Sequence, residues 1–159
     1  MAEALLGRGE RAWRYYKQVM PSEVIKKVGV DRYHAEAHAY CSTLLGKDNE
    51  KFGWGCVSQV TGTAAWMDVV ATQYLLGVRP TLRGLLIDPS IPAQWDGYTV
   101  ERIYRGRILT IEVRNPSHVQ HGVAEMLVNG TPMGLGSGAI LTDEMLGDCD
   151  EATVTVMLG

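Results

Sequence analysis

Residues 61–80 read TGTAAWMDVVATQYLLGVRP, and residues 98–114 read YTVERIYRGRILTIEVR. In the first stretch apolar residues recur at helical spacing, threonines stand where a helix is capped, and Gly77 stands where it ends. In the second stretch, short β-branched runs alternate with polar residues, which is typical of strands. The change of period after Pro80 divides the chain into a helical first half and a β second half.

Three helical stretches are predicted in the first half. The first covers residues 2–20 with an interruption around Gly7 and Gly9, and it ends before Pro21, because proline cannot donate the next backbone hydrogen bond. The second covers about residues 33–45, an alanine-rich segment closed by Gly46. The third covers residues 61–77. Its buried face is expected to hold Ala65, Trp66, Val69, Leu75 and Leu76.

The second half is predicted to form an antiparallel β domain. Short strand-like segments follow an irregular, proline-containing connection, and the Asn129-Gly130 pair is a strong hairpin signal. We therefore expect an α+β chain. Its domains would be residues 1–80 as helices, residues 81–98 as a connection and residues 99–159 as the β domain.

The composition is that of an ordinary globular chain and excludes several classes. The formal charge is −3 over 159 residues, from 15 Lys+Arg and 18 Asp+Glu, so a nucleic acid is not the expected partner. No apolar run approaches the roughly 20 residues that span a bilayer, and no secretory signal is evident, so no membrane association and a cytoplasmic location are predicted. The cysteines, three in number, lack CxxC spacing, which argues against a disulfide framework. The chain opens in helical pattern with no capping residue, so Met1 is expected to be an internal methionine of a longer protein, with a native start at Met1 as the alternative.

The start of the third helix is a candidate anion site. Helix N-termini present free backbone N–H groups at the positive end of the helix dipole. Gly62 lets an anion approach the backbone closely, and Thr61 and Thr63 flank it. A plain threonine N-cap explains the same residues. The residues alone leave both readings open.

Aromatic and histidine residues supply further candidates. Phe52 and Trp54, separated by glycine, are suited to stacking on the faces of sugars, and buried packing of Trp54 is the alternative. His34 and His38 are four residues apart and can share one helix face. No third ligand accompanies them, so no metal site is predicted.

Four motifs resemble the C-terminal part of glycoside hydrolase family 94, a family that includes cellobiose, cellodextrin and N,N′-diacetylchitobiose phosphorylases. They are TGTAAWM at 61–67, GVRP at 77–80, IDPSIP at 87–92 and WDG at 95–97, in the order and spacing of the family. The resemblance covers most of residues 2–116.

The resemblance implies a fold and a reaction. The fold is an (α/α)₆-barrel catalytic domain followed by a small antiparallel β-sandwich domain, so the first half of this chain would be the last helices of the barrel. The reaction is inverting phosphorolysis of a β-linked disaccharide or short oligosaccharide, which gives an α-sugar 1-phosphate. Inorganic phosphate is the co-substrate, no cofactor is needed, and the intact enzyme would be a homodimer.

The resemblance also assigns residues. Thr61 and Gly62 match the Thr-Gly pair with which the family binds phosphate. Glu36 matches loosely a position in the family's substrate-binding stretch, and Phe52 and Trp54 remain candidates for sugar contacts. The general-acid aspartate and the phosphate-binding arginine and histidine are expected upstream of residue 1, so no catalytic residue is assigned here.

Two other readings remain open at this point. One is a non-catalytic module that binds carbohydrate or another subunit through Phe52, Trp54 and the β domain. The other is a split enzyme, whose catalytic half is a separate chain.

Overall fold

The structure is a computed structural model that describes residues 1–36, 38–58, 61–135 and 138–159, and at residue 61 it describes the backbone alone. None of the helices in these ranges is both long and apolar enough to cross a bilayer.

The chain forms two compact units. The first, called here the β unit, consists of Met1–Ala12 together with Ala71–Gly159. The second, called the helical unit, is Trp13–Val70. The predicted domain boundaries at residues 80 and 98 stay a prediction.

The helices are short and lie mostly in the first half. Pro21 occupies the first position of α3, where its missing N–H costs nothing, so α2 ends before it as predicted. A π-helical segment continues α5 directly. In chain order the helices are α1 (Ala2–Leu5), α2 (Gly9–Val19), α3 (Pro21–Val28), α4 (Val30–Tyr33), α5 (Thr61–Val69), the π-helical segment (Val70–Leu75) and α6 (Asp143–Leu146).

The strands are concentrated after residue 77, with one hairpin in the helical unit. That hairpin pairs β1 with β2 antiparallel. In chain order the strands are β1 (Cys41–Leu44), β2 (Gly55–Ser58), β3 (Val78–Pro80), β4 (Leu85–Ile87), β5 (Gly97–Tyr104), β6 (Arg107–Arg114), β7 (Val123–Val128), β8 (Thr131–Met133), β9 (Ile140–Leu141) and β10 (Glu151–Leu158).

The β unit contains a five-stranded and a three-stranded sheet. The larger has the order β5-β6-β10-β7-β8, and the smaller has the order β3-β4-β9. The antiparallel expectation holds for most pairs, but β10 lies parallel to β6. This pairing arises because the last strand inserts between two hairpins instead of adding to an edge.

The two sheets contribute to one hydrophobic core. Leu85 and Leu141 from the smaller sheet are fully buried, as are Leu109, Met126 and Val154 from the larger one. Along β10 buried residues alternate with exposed or half-buried ones, as expected for a sheet with one face on the core.

The predicted Asn129-Gly130 hairpin is confirmed. It joins β7 and β8, and both residues have positive φ angles of 49° and 80°. Two positive φ values at the centre of a two-residue loop match the twist of the flanking strands, which is why Asn-Gly is favoured there.

The helix predicted over residues 33–45 is wrong. His34 adopts the left-handed conformation (φ 56°) and ends α4, and the Tyr33 hydroxyl donates a hydrogen bond to the Ala39 carbonyl 2.7 Å away. Cys41–Leu44 then pairs with β2, and Gly46 lies in the hairpin connection instead of capping a helix. Alanine content favours helix only weakly, and tertiary pairing overrides it here.

The expected buried face of the third helix is only partly present. Leu75, in the π-helical segment, is buried, whereas Ala65 is exposed and Trp66 is 62% exposed. Trp66 was expected in the core, and this is a correction. The described residues of the helical unit place few apolar groups against this side of α5.

The connection after the π-helical segment is closely packed around Gly77. Its φ is 69°, and a Cβ at this position would overlap the backbone carbonyl of Asp88. The Asp88 N–H donates to the Gly77 carbonyl at 2.9 Å, and the Ser90 N–H donates to the Leu75 carbonyl at the same distance. The IDPSIP segment therefore holds the end of the π-helical segment by backbone contacts.

Asn115 holds the start of β5 in place. It is only 1% exposed, and its side-chain amide donates to the carbonyls of Trp95 (3.0 Å) and Val119 (2.9 Å). Its side-chain oxygen accepts from the Val119 N–H at 3.0 Å, and its own N–H donates to the Asp96 carbonyl. The WDG motif is thus fixed to the end of β6 by one buried asparagine.

Candidate functional site

The predicted anion site lies at the N-terminus of α5, in the helical unit. Helix α5 begins at Thr61, and a Cβ built on Gly62 meets nothing within 4 Å among the described residues. The first N–H groups of an α-helix have no partner within the helix. Among the described residues, the Cβ position of Gly62 therefore faces open space in a first helical turn whose N–H groups have no partner within the helix, an arrangement that suits an oxyanion.

The first turn of α5 differs from those of the other described α-helices. Each of the others has a carboxylate in its first turn, which itself stabilises the positive end of the dipole. The first turn of α5 has none. An anionic ligand at this helix start would meet no like charge from the first turn.

Glu36 lies in the segment between α4 and β1, is exposed and is held by a hydrogen bond. The Ser58 hydroxyl donates to its carboxylate and, together with a backbone hydrogen bond and the nearby His38, lowers its pKa below the ordinary value. Ser58 ends β2 and precedes Thr61 by three positions in the chain. Glu36 is thus an ionised acceptor attached to the strand that leads into α5.

Trp54 is half-buried, and its ring has two partners. The His34 imidazole stacks on it with centroids 4.3 Å apart, and the Lys51 ammonium lies 4.7 Å from the ring centroid. Both interactions use the π surface that a sugar would otherwise contact. The Trp54 ring is therefore positioned by protein groups, which gives support to the packing alternative for this residue.

Phe52 differs from Trp54 in its surroundings. It lies in the connection between β1 and β2, with its side chain 47% exposed. The turn that presents it is fixed by the Phe52 N–H, which donates to the Asn49 carbonyl, and by Gly53 at φ 83°. Of the two aromatic candidates, Phe52 is the one with an accessible ring face.

A tyrosine pair that the sequence analysis did not identify lies in the same unit. Burial, and then a hydrogen bond with the Tyr40 hydroxyl, raise the pKa of Tyr16 to about 12. The negative charge of Asp68 contributes a smaller part of the same increase. The three residues come from α2, the segment before β1, and α5. No spacing in the sequence links them, because the contact depends on how the segments fold.

The histidine pair does not share a helix face. His34 ends α4 in the left-handed conformation, and His38 is exposed in the segment that follows. Across the residues that the structure describes, no group of three or more His, Cys, Asp or Glu side chains is close enough together to hold a metal ion.

Comparison with protein families divides the chain near the same point as the change of period. A profile of the glycosyl hydrolase 94 superfamily, catalytic domain, matches residues 1–77. A profile of the glycosyl hydrolase family 65, C-terminal domain, matches residues 79–126.

Curated relatives match over most of this chain. An N,N′-diacetylchitobiose phosphorylase from Vibrio proteolyticus is 37% identical over 136 residues, which is 84% of this chain and 16% of that protein. From Paenibacillus borealis, a solabiose phosphorylase is 31% identical over 82% of this chain and 17% of its own length. A 3-O-β-D-glucopyranosyl-β-D-glucuronide phosphorylase from the same organism is 36% identical over 81% of this chain and 17% of its own length. The chain thus spans about a sixth of the length of the curated relatives it matches.

Proposed function

Since the chain belongs to glycoside hydrolase family 94, whose relatives here are disaccharide phosphorylases, we propose that it is the C-terminal segment of an inverting disaccharide phosphorylase. The enzyme would cleave a β-glucosidic or β-N-acetylglucosaminidic bond with inorganic phosphate and release an α-sugar 1-phosphate. Candidate substrates are those in the names of the relatives: N,N′-diacetylchitobiose, solabiose and 3-O-β-D-glucopyranosyl-β-D-glucuronide.

The open start of α5 carries the proposal. Thr61 and Gly62 would hold phosphate through backbone N–H groups and the Thr61 hydroxyl, with the helix dipole favouring the negative charge. Open space at Gly62 and a first turn without carboxylates support this assignment. Phosphate is then a co-substrate in the position that water takes in an inverting hydrolase, and no further cofactor is required.

Glu36 and Phe52 are the proposed sugar contacts. An ionised carboxylate accepts hydrogen bonds from vicinal hydroxyls, and the lowered pKa of Glu36 keeps it in that form. Phe52 offers an exposed ring for the apolar face of a pyranose. Trp54 would support these two residues without contacting the sugar itself, because its ring already contacts His34 and Lys51.

The arrangement of the intact enzyme is part of the same proposal. The helices before residue 77 would be the last helices of an (α/α)₆ barrel, where neighbouring helices would cover Trp66 and the exposed side of α5. The general-acid aspartate would come from outside these 159 residues. The homodimer implied by the family resemblance stays a prediction.

Gly62→Ala tests the phosphate site without disturbing the fold. The added methyl meets no described atom, and alanine is the better helix former, so the free energy of unfolding should change by less than about 1 kcal/mol. The same methyl would stand where phosphate approaches the backbone. In the enzyme that contains this chain, the KM for phosphate should rise about tenfold or more, the loss expected for charge-assisted hydrogen bonds.

Gly46→Ala is the matched control. Gly46 also has open space around its Cβ position and no positive φ, and it lies in a loop away from α5 in sequence. The readout is phosphate-dependent release of sugar 1-phosphate from each candidate disaccharide. An unchanged KM for phosphate in Gly62→Ala would reject the site, and no phosphorolysis of any β-linked disaccharide would leave the non-catalytic module as the better interpretation.

A further inference from the structure

An open groove of about 270 Å³ lies on the outer face of the five-stranded sheet. It belongs entirely to the β unit and uses none of the residues assigned to phosphate or to the sugar contacts above. Strands β6 and β10 and the turn after β7 form it. Its lining residues are Ile108, Thr110, Asn129, Glu151, Ala152 and Thr153.

The parallel pairing of β6 with β10 creates the groove. It places Thr110 beside Thr153 and Ile108 beside Glu151. Since buried residues alternate with these four along both strands, the four side chains stand together on the outer face.

Asn129 closes one side of the groove and is fixed there. Its N–H donates to the Thr153 carbonyl at 2.8 Å, and its side-chain oxygen accepts from the Thr153 N–H at 2.9 Å. The side-chain NH₂ of Asn129 has no partner among the described residues. The hydroxyls of Thr110 and Thr153 have none there either. Glu151 likewise has no ion-pair partner in the described ranges. The groove therefore offers open donors and acceptors on a rigid sheet.

The groove suits neither an anion such as phosphate, because of its charge, nor a calcium ion, because of its small number of carboxylate ligands. The Glu151 carboxylate, with Glu101 opposite Thr110 on β5, disfavours an anion such as phosphate. A calcium ion needs roughly six to eight oxygen ligands, typically with more than one carboxylate, and the lining supplies a single carboxylate.

We propose that this groove binds one neutral hexopyranose unit of a saccharide. Its hydroxyls would donate to Glu151 and accept from Asn129, the two threonine hydroxyls would serve in either role, and a C–H face of the ring would pack on Ile108. The volume lies just below the roughly 300–1,000 Å³ of pockets for drug-sized ligands, which suits a single ring. The β unit would then hold a saccharide independently of phosphate.

The test is a titration of the chain with methyl β-D-glucopyranoside and with N-acetyl-D-glucosamine, followed by amide NMR signals. Thr153→Val keeps the strand-forming shape and removes one hydroxyl from the groove, so binding should weaken roughly fivefold, as for the loss of one hydrogen bond. Thr155→Val is the matched control, because Thr155 is next on the same face of β10 but does not line the groove. Glu151→Gln is a second variant that removes the charge at nearly constant size.

The expected result is a set of shifts at residues 108–110, 129 and 151–153 that weakens in Thr153→Val and Glu151→Gln and persists in Thr155→Val. No shifts with either sugar at millimolar concentration would overturn the proposal. Shifts of these same groove signals with calcium chloride or inorganic phosphate, in place of the sugars, would overturn it as well. Thr153→Val should leave phosphorolysis unchanged, so this site and the proposed function fail separately.

Discussion

Replacing Asn115 with alanine tests how firmly the WDG motif is tied to the β unit. The change removes three side-chain hydrogen bonds at once, two donated to the Trp95 and Val119 carbonyls and one accepted from the Val119 N–H. Each such bond contributes about 1 kcal/mol net. Because Trp95 and Val119 are half-buried, water can recover part of the lost bonding at those groups. Three such bonds, with no added penalty for unpaired buried groups, should lower the free energy of unfolding by about 3 kcal/mol.

The matched comparison is Asn129→Gly in the same unit. Asn129 is exposed, accepts one side-chain hydrogen bond from the Thr153 N–H, and has a positive φ that glycine adopts without strain. Its loss should cost about 1 kcal/mol. The ratio of the two effects is set by the number of bonds and by burial, since the residue type replaced is the same.

The assay is urea unfolding followed by the amide NMR signals of β6 and β10, which report on the β unit alone. The slope of the unfolding free energy against urea should be the same for all variants, and only the midpoint should move. If Asn115→Ala is no more destabilising than Asn129→Gly, the buried asparagine does not fix the motif and the reasoning fails.

Two further predictions concern packing and ionisation. Gly77→Ala should destabilise the β unit by several kcal/mol or prevent its folding, because the new methyl would overlap the Asp88 carbonyl at a left-handed φ, whereas Gly46→Ala should be nearly neutral; comparable melting temperatures for the two variants would contradict this. Burial also raises the pKa values of Tyr33 and Tyr98, so an alkaline absorbance titration should show several late tyrosines, of which the one with a pKa of about 12 is removed by Tyr16→Phe. Because the unfolded chain releases that proton near pH 10, the stability that Tyr16 contributes is complete below that pH and is lost as the pH rises through about 12; a stability that does not fall in that window would contradict the burial of Tyr16.

Local signals in the sequence predicted the elements whose cause is local. Pro21 separates two helices for a reason contained in its own ring, and the Asn129-Gly130 pair forms its hairpin from the φ preferences of two residues. The start of α5 at Thr61 follows the same logic of threonine and glycine at a helix N-terminus.

The features that the sequence did not predict depend on distant partners. The alanine-rich segment around residue 37 has helical composition, yet the Tyr33 hydroxyl and the strand Gly55–Ser58 direct the chain into a hairpin. The Ser58 contact with Glu36 arises from the same pairing. The position of β10 between β6 and β7 has no signature in the strand itself, because an alternating strand fits an edge and the centre of a sheet equally well.

The central position of β10 has a consequence for biosynthesis. The hairpins β5–β6 and β7–β8 leave the ribosome first, and each then has an unpaired edge with open N–H and C=O groups. Only when residues 151–158 have emerged can the two hairpins be joined, through contacts of long sequence separation that slow folding. During that interval the nascent sheet consists of two separate hairpins whose unpaired edges are prone to aggregation. A chaperone that shields strand edges would act at this stage.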